Sequence, residues 1–194
     1  MRQAKIERKT LETEVIIELN LDGTGQRTIT TGIKFFDHML EQLAAHSCFD
    51  IKIRATSHDS DPHHIIEDVG ISIGNAINQA LGDRKGIKRY GQMLLPMDES
   101  LALVAVDLSG RPYSNVIAEI EEQKVNDFDT ILLKHFFRSL STGALLTTHI
   151  TLMYGEDPHH KIEAIFKSFA RALGQACTIN KENASQIPST KGVL

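Results

Sequence analysis

Two cysteines among 194 residues leave little to build a disulfide framework from, and Cys48 and Cys177 are too far apart for the close spacing of a metal-binding pair. Each lies within an apolar-patterned segment, so both are expected as buried thiols. No apolar run approaches the roughly 20 residues that a spanning helix needs. The opening "MRQAKIERKT" lacks the apolar stretch of a secretory signal. Charge of one sign is also scarce in blocks: 21 basic and 25 acidic residues give a net charge of -4 without a long run of either. That excludes the electrostatic footprint of a nucleic-acid binder and of a membrane-surface protein. No P-loop or G-x-G-x-x-G is present. The expectation is a cytoplasmic protein with an ordinary core, 41 % hydrophobic and 24 % charged, folded as one large domain or two small fused ones.

What is present is a repeat. "DPHH" occurs at Asp61–His64 and again at Asp157–His160, each copy followed by a glutamate three residues on. Sliding the chain by 96 places His63 on His159, His64 on His160, Glu67 on Glu163, and the apolar Ile66, Val69, Ile73 and Ile77 on Ile162, Ile165, Phe169 and Leu173. A slide of 97 places His38 on His135 and Phe36, Met39, Leu40 and Leu43 on Leu133, Phe136, Phe137 and Leu140. Ligand-type and core-type positions coincide together, the mark of an internal duplication.

Each half reads β-β-α-β-α, with residues 1–84 as the first half and 85–194 as the second, forming one compact unit. "TEVIIELNLDG" alternates and ends on Asp-Gly, the pattern of a strand entering a hairpin with "QRTITTG". A helical stripe follows from Phe36, then the strand "FDIKIRAT", then a second helix begun by Pro62. "SLALVAVDLSG", "YSNVIAEIE", "TILLKHFFRSLS", "LLTTHITLMYG" and "HHKIEAIFKSFARALGQA" repeat that order. "GDRKGIKRYGQMLLPMDE" is the connector, and the turn-rich tail from Asn180 is expected to dock on the surface.

With Ile66 at the centre of the buried stripe, His63 lies at about 60°, Glu67 at about 100° and His64 at about 160° around the helix. His63 and Glu67 therefore stack one turn apart while His64 points elsewhere. Each HHxxE offers ligands in two directions, which fits two metal ions better than one. Imidazole and carboxylate without thiolate suit Mn, Fe, Co, Ni or Zn, leaning toward a harder six-coordinate ion. The candidate ligands form two sets of four: His38, His63, His64, Glu67 and His135, His159, His160, Glu163. Which residues share an ion stays open, as do ligands from separate subunits. His46 could reach the same cavity from the helix of His38. His149 and His58 are expected at the surface. "SGRPY" and "PSTKG" set Arg111 and Lys191 beside hydroxyls and a glycine, an arrangement able to hold phosphate. By pattern alone Arg89 and Lys167 are surface charges and Glu12 is a charge at the start of a strand.

"FFDHMLEQLAAHS", "HHIIEDVGISIGNAI", "GIKRYG", "PMDES", "DLSGRPY", "KHFF", "HHKIEAIFKSFARAL" and "PSTKG" resemble, in order and over nearly the whole chain, the imidazoleglycerol-phosphate dehydratase family of histidine biosynthesis. The resemblance implies a duplicated α/β fold of the ribosomal-protein-S5-domain-2-like kind, with helices packed on mixed sheets. It implies a homo-oligomer of 24 subunits with active sites at subunit contacts, and two manganese ions per site on the eight ligands above. It implies substrate contacts at Glu12, His38, His46, His63, Glu67, Arg89, Arg111, His159, Lys167, Ser189, Thr190 and Lys191, the basic residues and Ser189 holding the phosphate. The lead-in "TSHDSDP" departs from the family's usual "GDLxID", and "DPHH" replaces an Asn-containing lead in the second copy; the ligands are untouched. The implied reaction is dehydration of D-erythro-imidazoleglycerol phosphate to imidazole-acetol phosphate, a hydro-lyase reaction through a dimetal-bound imidazolate and a diazafulvene, with Glu12 as acid/base. Two other classes remain in view. Against a dimetal oxidase stands the alternation of strands with helices; a metal-storage protein would need no phosphate-binding cations.

Overall fold

The computed structural model describes residues 1–59 and 61–194. In the first half, β1 (Gln3–Lys9), β2 (Thr13–Asn20), β3 (Arg27–Thr30), α1 (Lys34–Ser47), β4 (Asp50–Ser57) and α2 (Pro62–Leu81) follow one another. The second half runs β5 (Tyr90–Met97), β6 (Ser100–Asp107), β7 (Tyr113–Ile117), a small hairpin of β8 (Lys124–Val125) and β9 (Phe128–Asp129), α3 (Leu132–Ala144), β10 (Thr147–Tyr154) and α4 (Pro158–Cys177). The first half thus carries one more strand than its sequence pattern shows and the second half three more, because β1 and β5 pair antiparallel with β2 and β6 and because of the β8–β9 hairpin. Part of the connector is therefore a strand.

The sheet orders are β1-β2-β4-β3 and β5-β6-β10-β7. The Asp-Gly hairpin expected between β2 and β3 does not form, since β4 inserts between them and pairs antiparallel with β2 and parallel with β3. The loop is instead held by Asp50, whose carboxylate accepts the backbone N–H of Thr24 at 2.8 Å and Gln26 at 3.0 Å. β7 is likewise separated from β6 by β10.

Alternation puts Val15, Ile17 and Leu19 of β2 and Ile51, Ile53 and Ala55 of β4 on the inner face. α1 and α2 cover that sheet, α3 and α4 cover the other, and the helices meet between the two. They meet across the halves: α2 packs on α3 and α1 on α4. At the α2–α3 contact Gly74 and Gly143 lie so close that a Cβ on either would strike the opposite helix backbone. Phe36, Phe136 and Phe166 form a chain of rings with centroids 5.2 and 5.4 Å apart, joining α1, α3 and α4. Truncating a ring so placed removes on the order of 3–5 kcal/mol.

Both long helices begin on the repeated tetrapeptide. Asp61 and Asp157 are N-caps accepting the N–H of His63 at 2.9 Å and His159 at 2.7 Å, and Pro62 and Pro158 occupy the first turn, where no N–H is needed. α1 has no cap of its own; Asp127, in the β8–β9 turn, accepts the N–H of Lys34 at 2.7 Å and of Phe35 at 2.9 Å. The tail docks as expected, Gly86 donating to the Gln186 carbonyl at 2.8 Å.

Of the two cysteines only Cys177 is buried. Cys48 caps α1 in the left-handed region at φ 62° and is exposed, because its reversal of the chain turns the side chain outward. Burial pushes the Cys177 thiol up to about 12, far from any thiolate at neutral pH. Ellman's reagent should therefore titrate one thiol per native chain and two after denaturation, and Cys48→Ser should abolish the native signal. No described helix is long and apolar enough to cross a membrane.

Candidate metal centre and substrate site

α1 and α4 run in the same direction and bring their first turns together. His38 Nε2 lies 3.4 Å, and His159 Nε2 3.0 Å, from Glu163 Oε2, and the three side chains converge within 4.8 Å. Phe35 meets the His159 ring edge-on with centroids 5.1 Å apart. Burial opposes ionisation of Glu163, but the Lys167 ammonium, 2.6 Å from Oε1, and the two histidines outweigh it and hold the carboxyl below its ordinary value. His46, further along α1, is half-buried; burial, then the positive charges of Lys167 and Arg171, push it below its ordinary value.

A looser counterpart, whose donor atoms do not converge within 4.8 Å as the first group's do, lies on α2 and α3. His63 and His135 have ring centroids 4.7 Å apart, and His63 Nε2 lies 3.9 Å from Glu67 Oε2. Arg138, Ser139 and Thr142 line the surrounding cavity, and Ile71 stands there where the duplication puts Lys167 in the other cluster. The sets of four therefore regroup. His38 joins His159 and Glu163, and His135 joins His63 and Glu67, because the helices pair across the halves. Helical periodicity fixes where a side chain points around its own axis, not which helix it faces.

His64 and His160 point away from these clusters. His64 Nδ1 is 2.7 Å from Asp59 Oδ2, and its Nε2 is 3.8 Å from Glu12 Oε1. His160 Nδ1 is 2.8 Å from Glu99 Oε2, and its Nε2 is 3.8 Å from Asp98 Oδ2. Each carboxylate raises its histidine's pKa, while His160 and then the Asp157 N–H hold Glu99 far below the usual carboxylate range. Glu12 sits in the β1–β2 turn, its N–H donating to Thr10 Oγ1 at 3.1 Å and its carbonyl accepting the His58 N–H at 2.7 Å. Thr13 and Arg8 tie that turn to buried Asp68 of α2, Arg8 at 2.8 Å. The Glu12 carboxylate is left exposed.

Sequence patterns gave Asp59, Asp98 and Glu99 no role. A slide of 87 would have revealed Glu99, since it sets Glu12 on Glu99 and the buried Thr13, Val15 and Ile17 on the buried Ser100, Ala102 and Val104. Nothing local marks Asp59.

The cations divide. Lys167 stays with Glu163, whereas Arg89, Arg111 and the tail gather at the other end of the second sheet. Arg89 pairs with Asp107 at 2.7 Å and donates to the Pro188 carbonyl at 2.9 Å. Arg111 hydrogen-bonds Ser109, and Ser189 Oγ accepts the Lys191 N–H at 3.2 Å with Thr190 between them. The eight residues of β5 from Tyr90 to Met97 separate this end from Glu99 and His160 by about 23 Å. Within one chain these cations and the histidines are not brought together. His149, on the outer face against Tyr113, and His58 are exposed as expected.

The family model for imidazoleglycerol-phosphate dehydratase matches residues 31–173. The chain belongs to that family. It is 50 % identical over 194 residues to the imidazoleglycerol-phosphate dehydratase of Prochlorococcus marinus, covering all of this chain and 96 % of the relative. Against that of Lactococcus lactis subsp. cremoris it is 51 % identical over 199 residues, covering 100 % and 98 %. The crystal structure of the Staphylococcus aureus dehydratase superposes with a TM-score of 0.83 at 42 % identity, over 92 % of this chain and 99 % of that one. The Pyrococcus furiosus dehydratase, solved in complex with (S)-C348, gives 0.85 at 38 % identity, over 97 % and 100 %. Like its family, the chain is a hydro-lyase of mixed α/β fold.

Proposed function

We propose that the chain dehydrates imidazoleglycerol phosphate to imidazole-acetol phosphate in histidine biosynthesis, with two manganese ions per active site. The observation that carries this is the pair of clusters His38/His159/Glu163 and His135/His63/Glu67, each with two imidazoles and one carboxylate. Nitrogen and oxygen donors without thiolate fit manganese, and three donors leave coordination positions open. His38, His159 and Glu163, and His135, His63 and Glu67, would hold the two ions, which when bound would supply Lewis acidity to the substrate's imidazole. Lys167 keeps Glu163 ionised for its share of that work. The hydroxyl leaves from the carbon attached to the ring, the proton that Glu12 takes from the next carbon joins it so that the two depart as water, and the enol left behind becomes the ketone as its hydroxyl proton is exchanged for one on the carbon attached to the ring.

Two features support a site completed by neighbouring copies. His64 and His160 present Nε2 outward, and Arg89, Arg111, Ser189, Thr190 and Lys191 lie too far from their own chain's histidines to hold the phosphate there. The outer face of the second sheet exposes Leu94, Leu103, Ile117 and Met153, each at 40–55 %, where the first sheet exposes Lys5, Glu7, Lys52 and Arg54. Such an apolar face suits self-association into a homo-oligomer.

Metal-stripped protein incubated with imidazoleglycerol phosphate should form imidazole-acetol phosphate only when manganese is added. Stoichiometric manganese binding without product would end the dehydratase assignment and leave a metal-binding protein.

A further inference from the structure

We propose that Asp59 and Glu99 are positioning residues: each accepts the Nδ1–H of the histidine beside it, His64 or His160, and so commits that ring's Nε2 to a metal ion. The inference rests on the dimetal site proposed above. An imidazole on the first turn of a helix, about a third exposed, is otherwise free to rotate and to exchange tautomers. The Nδ1 contacts of 2.7 and 2.8 Å are full hydrogen bonds, whereas the Nε2 contacts of 3.8 Å with Glu12 and Asp98 are too long. Nε2 is thus left as the free donor atom on both rings. A carboxylate behind a ligating histidine also raises the basicity of the coordinating nitrogen.

The carboxylates are themselves fixed without the histidines. Glu99 Oε1 accepts the N–H of Asp157 at 2.9 Å and of Glu156 at 3.2 Å, together with the Ser100 hydroxyl at 3.0 Å. Asp59 Oδ1 accepts the Ser57 hydroxyl at 3.0 Å and the Asp61 N–H at 3.1 Å. In both cases one oxygen anchors the group and the other faces Nδ1. The duplication did not deliver this likeness. Asp59 comes from the loop before α2, and its counterpart after a slide of 96 is Gly155; Glu99 comes from a strand turn whose counterpart is Glu12. Two unrelated positions make the same contact to equivalent histidines, which a shared ancestry of folding contacts does not explain.

The test is manganese titration of the metal-stripped full-length chain by calorimetry and by loss of the free-ion EPR signal. Glu99→Ala should weaken one class of site about 10- to 100-fold, Asp59→Ala the other class, and the double variant both. Melting of the metal-free variants should stay near the parent's. Glu99→Gln, which keeps an acceptor oxygen, should recover part of the affinity. Folded variants that bind both ions as the parent does would overturn the proposal, as would equal weakening of both classes by either single change. Should Glu99→Ala fail to fold because Glu156 and Asp157 lose their anchor, Asp59→Ala decides alone. A parent chain that binds no manganese tightly would instead overturn the dimetal site and this proposal with it.

Discussion

Glu12→Gln should lower kcat at least ~10²-fold while leaving manganese stoichiometry and melting temperature unchanged, because general acid–base groups contribute roughly 10²–10⁴-fold. The separation of effects follows from how the residue is held. Its backbone N–H and carbonyl are bound by Thr10 and His58, and the turn is locked to Asp68 through Thr13 and Arg8. The carboxylate, 3.8 Å from His64 Nε2, makes no hydrogen bond among the described residues. The amide keeps the shape and cannot accept the proton. Near-normal turnover with both ions bound would remove Glu12 from the chemistry.

The second large effect tests the regrouping of ligands across the halves. His38→Ala should cost on the order of 10³-fold in kcat/KM, the several kcal/mol that a bound ion supplies to developing charge. The decisive readout is stoichiometry. His38→Ala should leave one tightly bound manganese per chain; adding Glu163→Gln should still leave one, because the two share an ion. Combining His38→Ala with Glu67→Gln should leave none. If the first double variant loses both ions and the second keeps one, the grouping by sequence half is right and the helix pairing misleads.

Much of the fold is legible in the sequence because local signals and burial agree. The alternation of β2, β4, β6 and β10 and the helical stripes of α2 and α4 each mark a face that the core covers. β1 and β5 escape because their inner faces carry weak signals. β1 turns Ala4, Ile6 and the ion-paired Arg8 inward; β5 turns Gly91 inward and sets Leu94 and Pro96 outside, a pattern tolerable only on a sheet edge. The β2–β3 hairpin fails as an expectation because Asp-Gly marks a reversal of the chain, not the partner of the next strand. The histidine directions around α2 follow from helix geometry alone. That His38 meets Glu163 does not, since 125 residues separate them and only packing joins them. Arg89 reads as a surface charge because nothing nearby reveals that Asp107 and the tail wrap it.

The exchange of helices between the halves bears on what a half-length ancestor could have been. One β-β-β-α-β-α unit holds the first-helix histidine and the HHxxE of the second helix on separate helices, each packed on a helix of the other half. Pairing with its own copy about a twofold axis, such a unit would have formed two identical clusters, each drawing one histidine from one copy and a histidine and a glutamate from the other. Joining two such copies in one chain would remove the need for that encounter and leave the clusters free to differ. They do differ, with Lys167 beside one and Ile71 beside the other.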